Sequence, residues 1–272
     1  MANVLKSDFS ARSNLVAEQK ITELAKAELR LATSRFKVFV GVVSFILVGL
    51  VIAYGLGKYT FWIIEGALFA ALIWWVLLIA PHVIKLHHAC SQLRAVEHGL
   101  QGEEAVAKVL AQGLPSEYFV INDITIASAC QETQLDHVVV TPTEVLCIET
   151  KNWKGIYQPG NAGWLWRPLR RREGKPRWHK DPQAQSLMHS EALREYLVSQ
   201  DIEADIQAVV VLADPKKIEW QGKQAYAPCP VLYIYDLIPF IQGRTTSKSN
   251  PQVQERVARA ILGAHIKRGD AK

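Results

Sequence analysis

The sequence predicts an α/β protein in two parts: a mixed β-sheet core with helices on both faces, and a two-helix transmembrane anchor ahead of it. Three observations predict this. The runs Val38 to Leu56 and Phe61 to Ala80 are almost purely apolar, and each has about the 20 residues that cross a bilayer as a helix. Two β-branched-rich runs, Leu135 to Thr141 and Glu144 to Lys151, flank a Thr141-Pro142-Thr143 breaker, the pattern of a hairpin with buried strands. Further strand-like runs then alternate with helix-like ones.

The chain has 272 residues, a formal net charge of +5 and four cysteines. That length suits one or two domains. Cys90, Cys130, Cys147 and Cys229 form no C-x-x-C pair, which argues against a zinc site or a disulfide framework. Cys147 sits inside an apolar strand as a small hydrophobe, which fits a reducing cytosol.

Met1 to Arg35 is polar, of mixed charge, and helical in pattern from about Ala11. It lacks the early apolar core of a signal peptide, so cleavage is not expected. The two apolar runs lack the polar stripe of a soluble helix, and the Gly57-Lys58-Tyr59-Thr60 break between them makes a hairpin. Lys20, Lys26, Arg30, Arg35 and Lys37 precede the first span, Lys85 and Arg94 follow the second, and Lys58 alone lies between. This bias sets both ends in the cytoplasm, at the inner (cytoplasmic) membrane. Glu65 falls near the opposite interface, where it can reach headgroups or Lys58, or serve a function within the membrane. Gly66, Ala67, Ala70 and Ala71 provide small-residue spacing for helix packing. Trp62, Trp74 and Trp75 suit interfacial anchoring or packing. His87 and His88 continue the helix outward but point about 100° apart, so they do not share a metal.

After Gly99, Val106, Val109, Leu110 and Leu114 mark one face of a helix starting at Glu103. Glu103 there either complements the helix dipole or projects toward the site built next. Tyr118 to Ile126 reads as a strand. In the hairpin that follows, a turn centred between Pro142 and Thr143 sets Asp136 opposite Glu149, about 5 Å apart at Cβ. Lys151 shares the face of Glu149 by alternation. Two facing carboxylates repel unless neutralised, and a hard divalent cation, Mg²⁺ or Mn²⁺, is the natural neutraliser, completed by waters and substrate phosphate. A lysine beside it can orient water or steady a charged phosphoryl oxygen. The simpler alternative is a strand cap at Asp136 and a surface ion pair between Glu149 and Lys151.

Ile156-Tyr157 and Trp164 to Trp166 extend the expected sheet to about five strands, a number typical of such cores. Arg167, Arg170, Arg171, Arg172, Lys175, Arg177 and Lys180 then form a basic run interrupted by Glu173 and flanked by Trp166 and Trp178. Such a run suits a nucleic-acid backbone with aromatic stacking, or anionic lipid headgroups. Asp181-Pro182 opens a helix to about Ser199. On it Gln185 and His189 share a face, for a bound water or phosphate or for an ordinary surface hydrogen bond. Gln207 to Ala213 and Val231 to Tyr235 are strands, Leu237 to Gln242 is a short helix, and Gln252 to about Ile266 is a last helix after a polar linker.

The segments Gly102-Glu103-Glu104-Ala105-Val106, Gln134-Leu135-Asp136-His137, Ile148-Glu149-Thr150-Lys151-Asn152-Trp153 and Asp181-Pro182-Gln183-Ala184-Gln185 together resemble the nuclease-related domain (NERD) of the PD-(D/E)xK nuclease superfamily. The resemblance covers residues 98–243, with Asp181 where the family usually has Asn. It implies a restriction-endonuclease-like mixed sheet, Asp136 and Glu149 as metal ligands, Lys151 as the catalytic lysine, Glu103 as the acid of the first helix, and Gln185 as the polar residue of the later one. Five segments are thus expected: a cytoplasmic helical segment at 1–35, the hairpin anchor at 36–84, a helical connector at 85–101, the nuclease-related domain at 102–243, and a linker and helix at 244–272. The expected function is a membrane-anchored, Mg²⁺-dependent nuclease acting on DNA, working as a homo-oligomer or with a protein partner. The alternative is a module that recruits nucleic acid or a protein to the membrane without cutting.

Overall fold

The computed structural model describes residues 1–6, 12–53, 59–127, 132–160, 163–169, 175–216, 218–221, 229–244 and 251–269. It divides into two compact units, Arg12–Glu97 and Met1–Ala11 with His98–Lys272.

The first unit is made by α1 (Arg12–Ala53) and most of α2 (Tyr59–Gly113). The helices pair in opposite directions. His82 Nδ1 lies 2.5 Å from Glu28 Oε2, Arg35 donates to the Leu78 carbonyl at 3.2 Å, and Phe39 stacks on Trp75 at 4.5 Å. The spans Ile21–Val51 and Phe69–Gly113 each contain a window long and apolar enough to cross a membrane, with 0% and 6% of that window buried. Phe45, Val51 and Leu77 stand bare, whereas a soluble core helix of that composition would be covered. The apolar stretch of α2 ends before Lys85. Trp74 is half exposed, and the side chains of Trp62 and Glu65 lie outside the described residues.

α2 runs without a break through Pro81 and Gly99 to Gly113. The connector and the helix expected after Gly99 are therefore one element, because a lone glycine costs a helix only about 1 kcal/mol.

In the second unit, β1 (Asn3–Lys6), β2 (Phe119–Ala127), β3 (Glu132–Val140), β4 (Val145–Lys151), β8 (Ile206–Leu212) and β10 (Val231–Tyr233) form a six-stranded mixed sheet in the order β1-β2-β3-β4-β8-β10. The β3–β4 hairpin has the expected register, Val140↔Val145 through His137↔Ile148. Its turn is held by Thr141, whose Oγ1 accepts from the Thr143 and Glu144 amides. Arg244 clamps Glu144 with two 2.7 Å bonds. The N-terminal strand β1, parallel to β2, had no signal in a segment read as polar and helical.

Alternating side chains give the sheet two buried faces. One packs under α3 (Pro182–Val198) and α5 (Pro251–Gly269) through Leu193, Leu197, Val257 and Ile261; the other packs under the end of α2 and α4 (Leu237–Arg244) through Val106, Leu110, Leu237 and Ile241. Asp181 caps α3 by accepting from the Gln183 amide at 2.8 Å, with Pro182 in the first turn.

The strands expected to widen this sheet belong instead to a second one. β5 (Gly155–Gly160), β6 (Gly163–Arg167), β7 (Arg177–His179) and β9 (Ile218–Trp220) pair in the order β7-β6-β5-β9. The chain leaves the first sheet at Gly155, whose φ of +129° is open to glycine alone, and a Cβ there would overlap the Trp166 indole.

α5, read in the sequence only as a trailing helix, is structural. Gln254 donates to the Glu117 and Val140 carbonyls, at 2.6 and 3.1 Å, and Ile261 is fully buried. Ile261→Ala should therefore cost about 2–4 kcal/mol, read as a lowered unfolding midpoint of the detergent-solubilised chain. Arg259→Ala, at an exposed position of the same helix, should leave the midpoint within error. Equal midpoints for wild type and Ile261→Ala would remove α5 from the core.

Candidate active site

The site lies where the β2–β3 ladder is interrupted and the β3–β4 ladder ends. β2 and β3 pair from Phe119↔Val140 to Asn122↔His137, skip one level, and resume at Ile124↔Leu135. The skipped level holds Asp123 and Asp136. Asp123 has φ +50°, a left-handed conformation that Asp tolerates better than most residues. Side-chain alternation shifts there on both strands: Ile121 and Val138 face the same core as Ile124 and Leu135. On the other side the β3–β4 ladder ends at His137↔Ile148. The next residue, Asp136, accepts the Thr150 amide on Oδ2 at 2.8 Å. A side-chain bond thus replaces the backbone bond, and Asp123, Asp136 and Glu149 stand at one level across three strands.

Cations reach this row from β4 and α3. Lys151 Nζ donates to Glu149 Oε1 and, at 3.2 Å, to Gln185 Oε1. One turn along α3, His189 Nδ1 lies 3.0 Å from Glu149 Oε2. Glu149 is 3% exposed, so both its oxygens face positive or polar groups rather than water. Glu104 points away, paired with Lys108 at 3.0 Å on the exposed side of α2.

Glu103 reaches the site from α2, outside the apolar stretch of that helix. Gly102 makes this approach feasible: a Cβ there would overlap the Asn152 side chain, and Asn152 Nδ2 donates to the His98 carbonyl at 2.7 Å. Burial, then the charges of Asp123 and Glu149, push the Glu103 carboxyl up to about 7, against the opposing pull of Lys151. Asp136 is driven well above the usual carboxylate range, first by burial and then by Glu149 and Glu103, with Lys151 and the Thr150 amide acting the other way. Burial also works against the charge on Glu149, yet His189 and Lys151 outweigh it and hold this carboxyl below its ordinary value. Ionising Glu103 and Asp136 together with Glu149 would therefore put more negative charge in this buried place than the neighbouring Lys151 balances.

His137, fully buried beside Asp136, bonds Asn122 Oδ1 through Nδ1 at 2.8 Å. Burial lowers it to about 3, so it is a neutral structural residue that fixes the β2–β3 register.

The structure therefore joins Glu149, Lys151 and Gln185 by hydrogen bonds, with Asp136, bonded to the Thr150 amide, and Glu103 within electrostatic reach. Asp123, bonded to Gln134 Nε2 at 2.8 Å, was missed in the sequence. The signal available was an Asn-Asp pair inside an otherwise apolar strand. Of the basic run, Arg170, Arg171 and Arg172 lie outside the described residues, while Lys175, Arg177 and Lys180 are exposed on and beside β7. Arg177 packs over the Trp166 ring at 4.7 Å.

Among the described residues no three His, Cys, Asp or Glu side chains are grouped as a ready ligand set. The oxygen donors of Asp136 and Glu149 are of the kind that fit a hard cation keeping part of its water shell.

Comparison with known proteins gives one family match. Residues 98–213, which hold Glu103, Asp136, Glu149, Lys151 and Gln185, match the family model of the nuclease-related domain. The chain is also 27% identical to an uncharacterised protein of Bacillus anthracis over 171 residues, 62% of this chain and 77% of that one. No solved structure matches it.

A carboxyl raised from 4.5 to about 7 is protonated more readily in the folded than in the unfolded chain. Its cost is absent below the unfolded value, grows with pH, and is complete above the folded one. Glu103→Gln should therefore stabilise the metal-free protein at pH 8, by up to about 3 kcal/mol, and do nothing at pH 4. Thermal unfolding in EDTA at the two pH values checks this; a gain of equal size at both would refute it.

Proposed function

We propose that this chain, a nuclease-related domain joined to two apolar helices, is a membrane-anchored, metal-dependent nuclease that hydrolyses DNA phosphodiester bonds at the cytoplasmic face of the membrane. The supporting observation is the row of carboxylates at the ladder gap, with Lys151 fastened between Glu149 and Gln185. Asp136 and Glu149 would hold Mg²⁺ or Mn²⁺, with the Thr150 carbonyl beside them. The bound ion supplies charge neutralisation at the scissile phosphate and a water of lowered pKa.

The chain's own residues do the rest. Lys151 orients the attacking water and steadies charge on the phosphoryl oxygen as a backbone P–O bond breaks. Gln185 and Glu149 fix the direction of Lys151, and His189 fixes Glu149. Glu103, poised near neutrality, takes a proton from the water as its oxygen bonds to phosphorus, and the departing sugar oxygen takes a proton from solvent. Lys175, Arg177 and Lys180, with Arg170, Arg171 and Arg172 of the same basic run in the sequence, hold the phosphate backbone.

Membrane anchoring rests on the uncovered apolar faces of α1 and α2, and the side of the membrane on the basic residues at their outer ends. Further support comes from β1: residues 3–6 pair in the same sheet as residues 119–127, which is compatible with a two-helix hairpin that leaves the chain before α1 and the domain after α2 on one side of the membrane.

A second reading, a module that recruits nucleic acid or a protein without cutting, is favoured by one observation: Lys151 and His189 already engage both oxygens of Glu149.

Detergent-solubilised full-length protein should cut DNA with Mg²⁺ or Mn²⁺ and not with EDTA. Asp136→Asn and Glu149→Ala should each lose at least about a thousandfold in rate, on the scale of removing a catalytic group, while still binding DNA. Binding without metal-dependent product in wild type would establish the recruiting module instead. For topology, a fluorescent protein fused after the last residue should fluoresce in cells, and alkaline phosphatase fused there should be inactive; the reverse result would place the domain outside.

A further inference from the structure

The second sheet has an outer face that the catalytic reading does not use. Side chains alternate along its strands, and cross-strand pairing sorts them. Tyr157, Trp166 and Arg177 form one row, with Trp164 and His179 beside it on the same face. Tyr157 and Trp164 are buried against the main sheet. The opposite face carries the row Gln158, Leu165, Trp178, and next to it Ile156 and Arg167.

That outer face is open. Trp178 is 53% exposed on an edge strand, and Leu169, just past β6, is 42% exposed. The Trp178 indole rests against the Gly160 backbone: a Cβ at Gly160 would come within 2.8 Å of two ring atoms. One surface of the ring is thereby supported while the residue stays largely accessible, and glycine at 160 is what lets the ring settle there. Arg167, held by Gln158 Oε1 at 3.0 Å, brings positive charge to this outer face, and the exposed Lys175 and Lys180 lie just before and just after β7. The acid of this sheet, Glu219, sits on β9, the strand farthest from β7, and is bonded to Gln221.

Trp178 is also joined to the carboxylate site along the chain: β7 runs directly into Asp181 and α3, which carries Gln185 and His189. On the reverse side of the same strand His179 packs on Trp153 at 5.4 Å between ring centroids, and Lys151 Nζ stands 5.7 Å from the Trp153 ring centre.

We propose that the outer face of the second sheet, centred on Trp178, holds an unpaired stretch of nucleic-acid strand and leads it to the carboxylate site. Flat aromatic surfaces bind bases whose faces are free, while surrounding cations track the phosphates. In a duplex those faces are stacked on one another, so Trp178 discriminates by strandedness and the cations do not. The proposal deepens the nuclease reading by naming its substrate class, single-stranded or end-frayed nucleic acid.

The test is fluorescence anisotropy on full-length protein in nanodiscs, in EDTA and with the Asp136→Asn background to prevent cutting. The probes are oligo(dT) of about 20 nucleotides, long enough for one such site, and a duplex of the same length. Trp178→Ala should weaken oligo(dT) binding at least about fivefold, the scale of one lost base stack, and leave the duplex unchanged. Trp178→Phe should recover most of the loss. Unchanged oligo(dT) binding in Trp178→Ala, or equal losses on both probes, overturns the proposal. So does oligo(dT) binding that disappears when the nanodiscs contain anionic lipid, because the face is then occupied by headgroups. A chain that never cuts yet shows the Trp178 effect would refute the nuclease reading and leave the strand platform standing.

Discussion

The structure of this site depends on one interruption: at the level of Asp123 and Asp136, the backbone ladder of the sheet is not made. A central strand normally spends its N–H and C=O groups on its neighbours. Here the positive φ of Asp123 and the Asp136 bond to the Thr150 amide free the end of the β3–β4 hairpin. Buried valines and isoleucines on either side hold the strands in register, and His137 with Asn122 pins the last regular pair. The carboxylates are thus presented by a rigid sheet and not by a loop, which is what a site needs to hold its groups within a fraction of an ångström.

Charge is the second constraint, and it follows from the first. Opening the ladder brings Glu103, Asp123, Asp136 and Glu149 into one poorly hydrated place. Lys151 and His189 both act on Glu149, so Glu149 stays ionised while Glu103 and Asp136 are driven up. Groups of one chemical type with pKa values pushed apart are the usual arrangement for dividing ligand and proton-transfer roles.

Two elements far apart in sequence close the domain around this site. β1 extends the sheet from its far edge, ahead of both apolar helices, and α5 seals the face shared with α3. Neither carries chemistry, but together they make the domain one folding unit with the apolar hairpin inserted between its first strand and the rest. The second sheet extends from the β3–β4 hairpin at Gly155, and its Tyr157 and His179 pack on Trp153, the ring beside Lys151.

The sequence by itself determined what local pattern encodes. Period-two apolar runs and the Thr-Pro-Thr breaker defined the hairpin and its register, so the facing of Asp136 and Glu149 could be worked out by counting. Apolar length defined the two long helices, and Asp181-Pro182 defined the start of α3. Tertiary structure alone decided the rest, because the causes are not local. The four residues of β1 have no distinctive pattern and are strand only because β2 offers an edge. Gly99 looks like a helix end and is not, since the surrounding turns tolerate one glycine. The break at Asp123 needs two strands to exist at once, the grouping of β5, β6, β7 and β9 into a separate sheet needs the turn at Gly155, and the contact of His189 with Glu149 needs α3 seated on its core. Side-chain chemistry was legible residue by residue; which groups share a site was fixed by how the strands and helices meet.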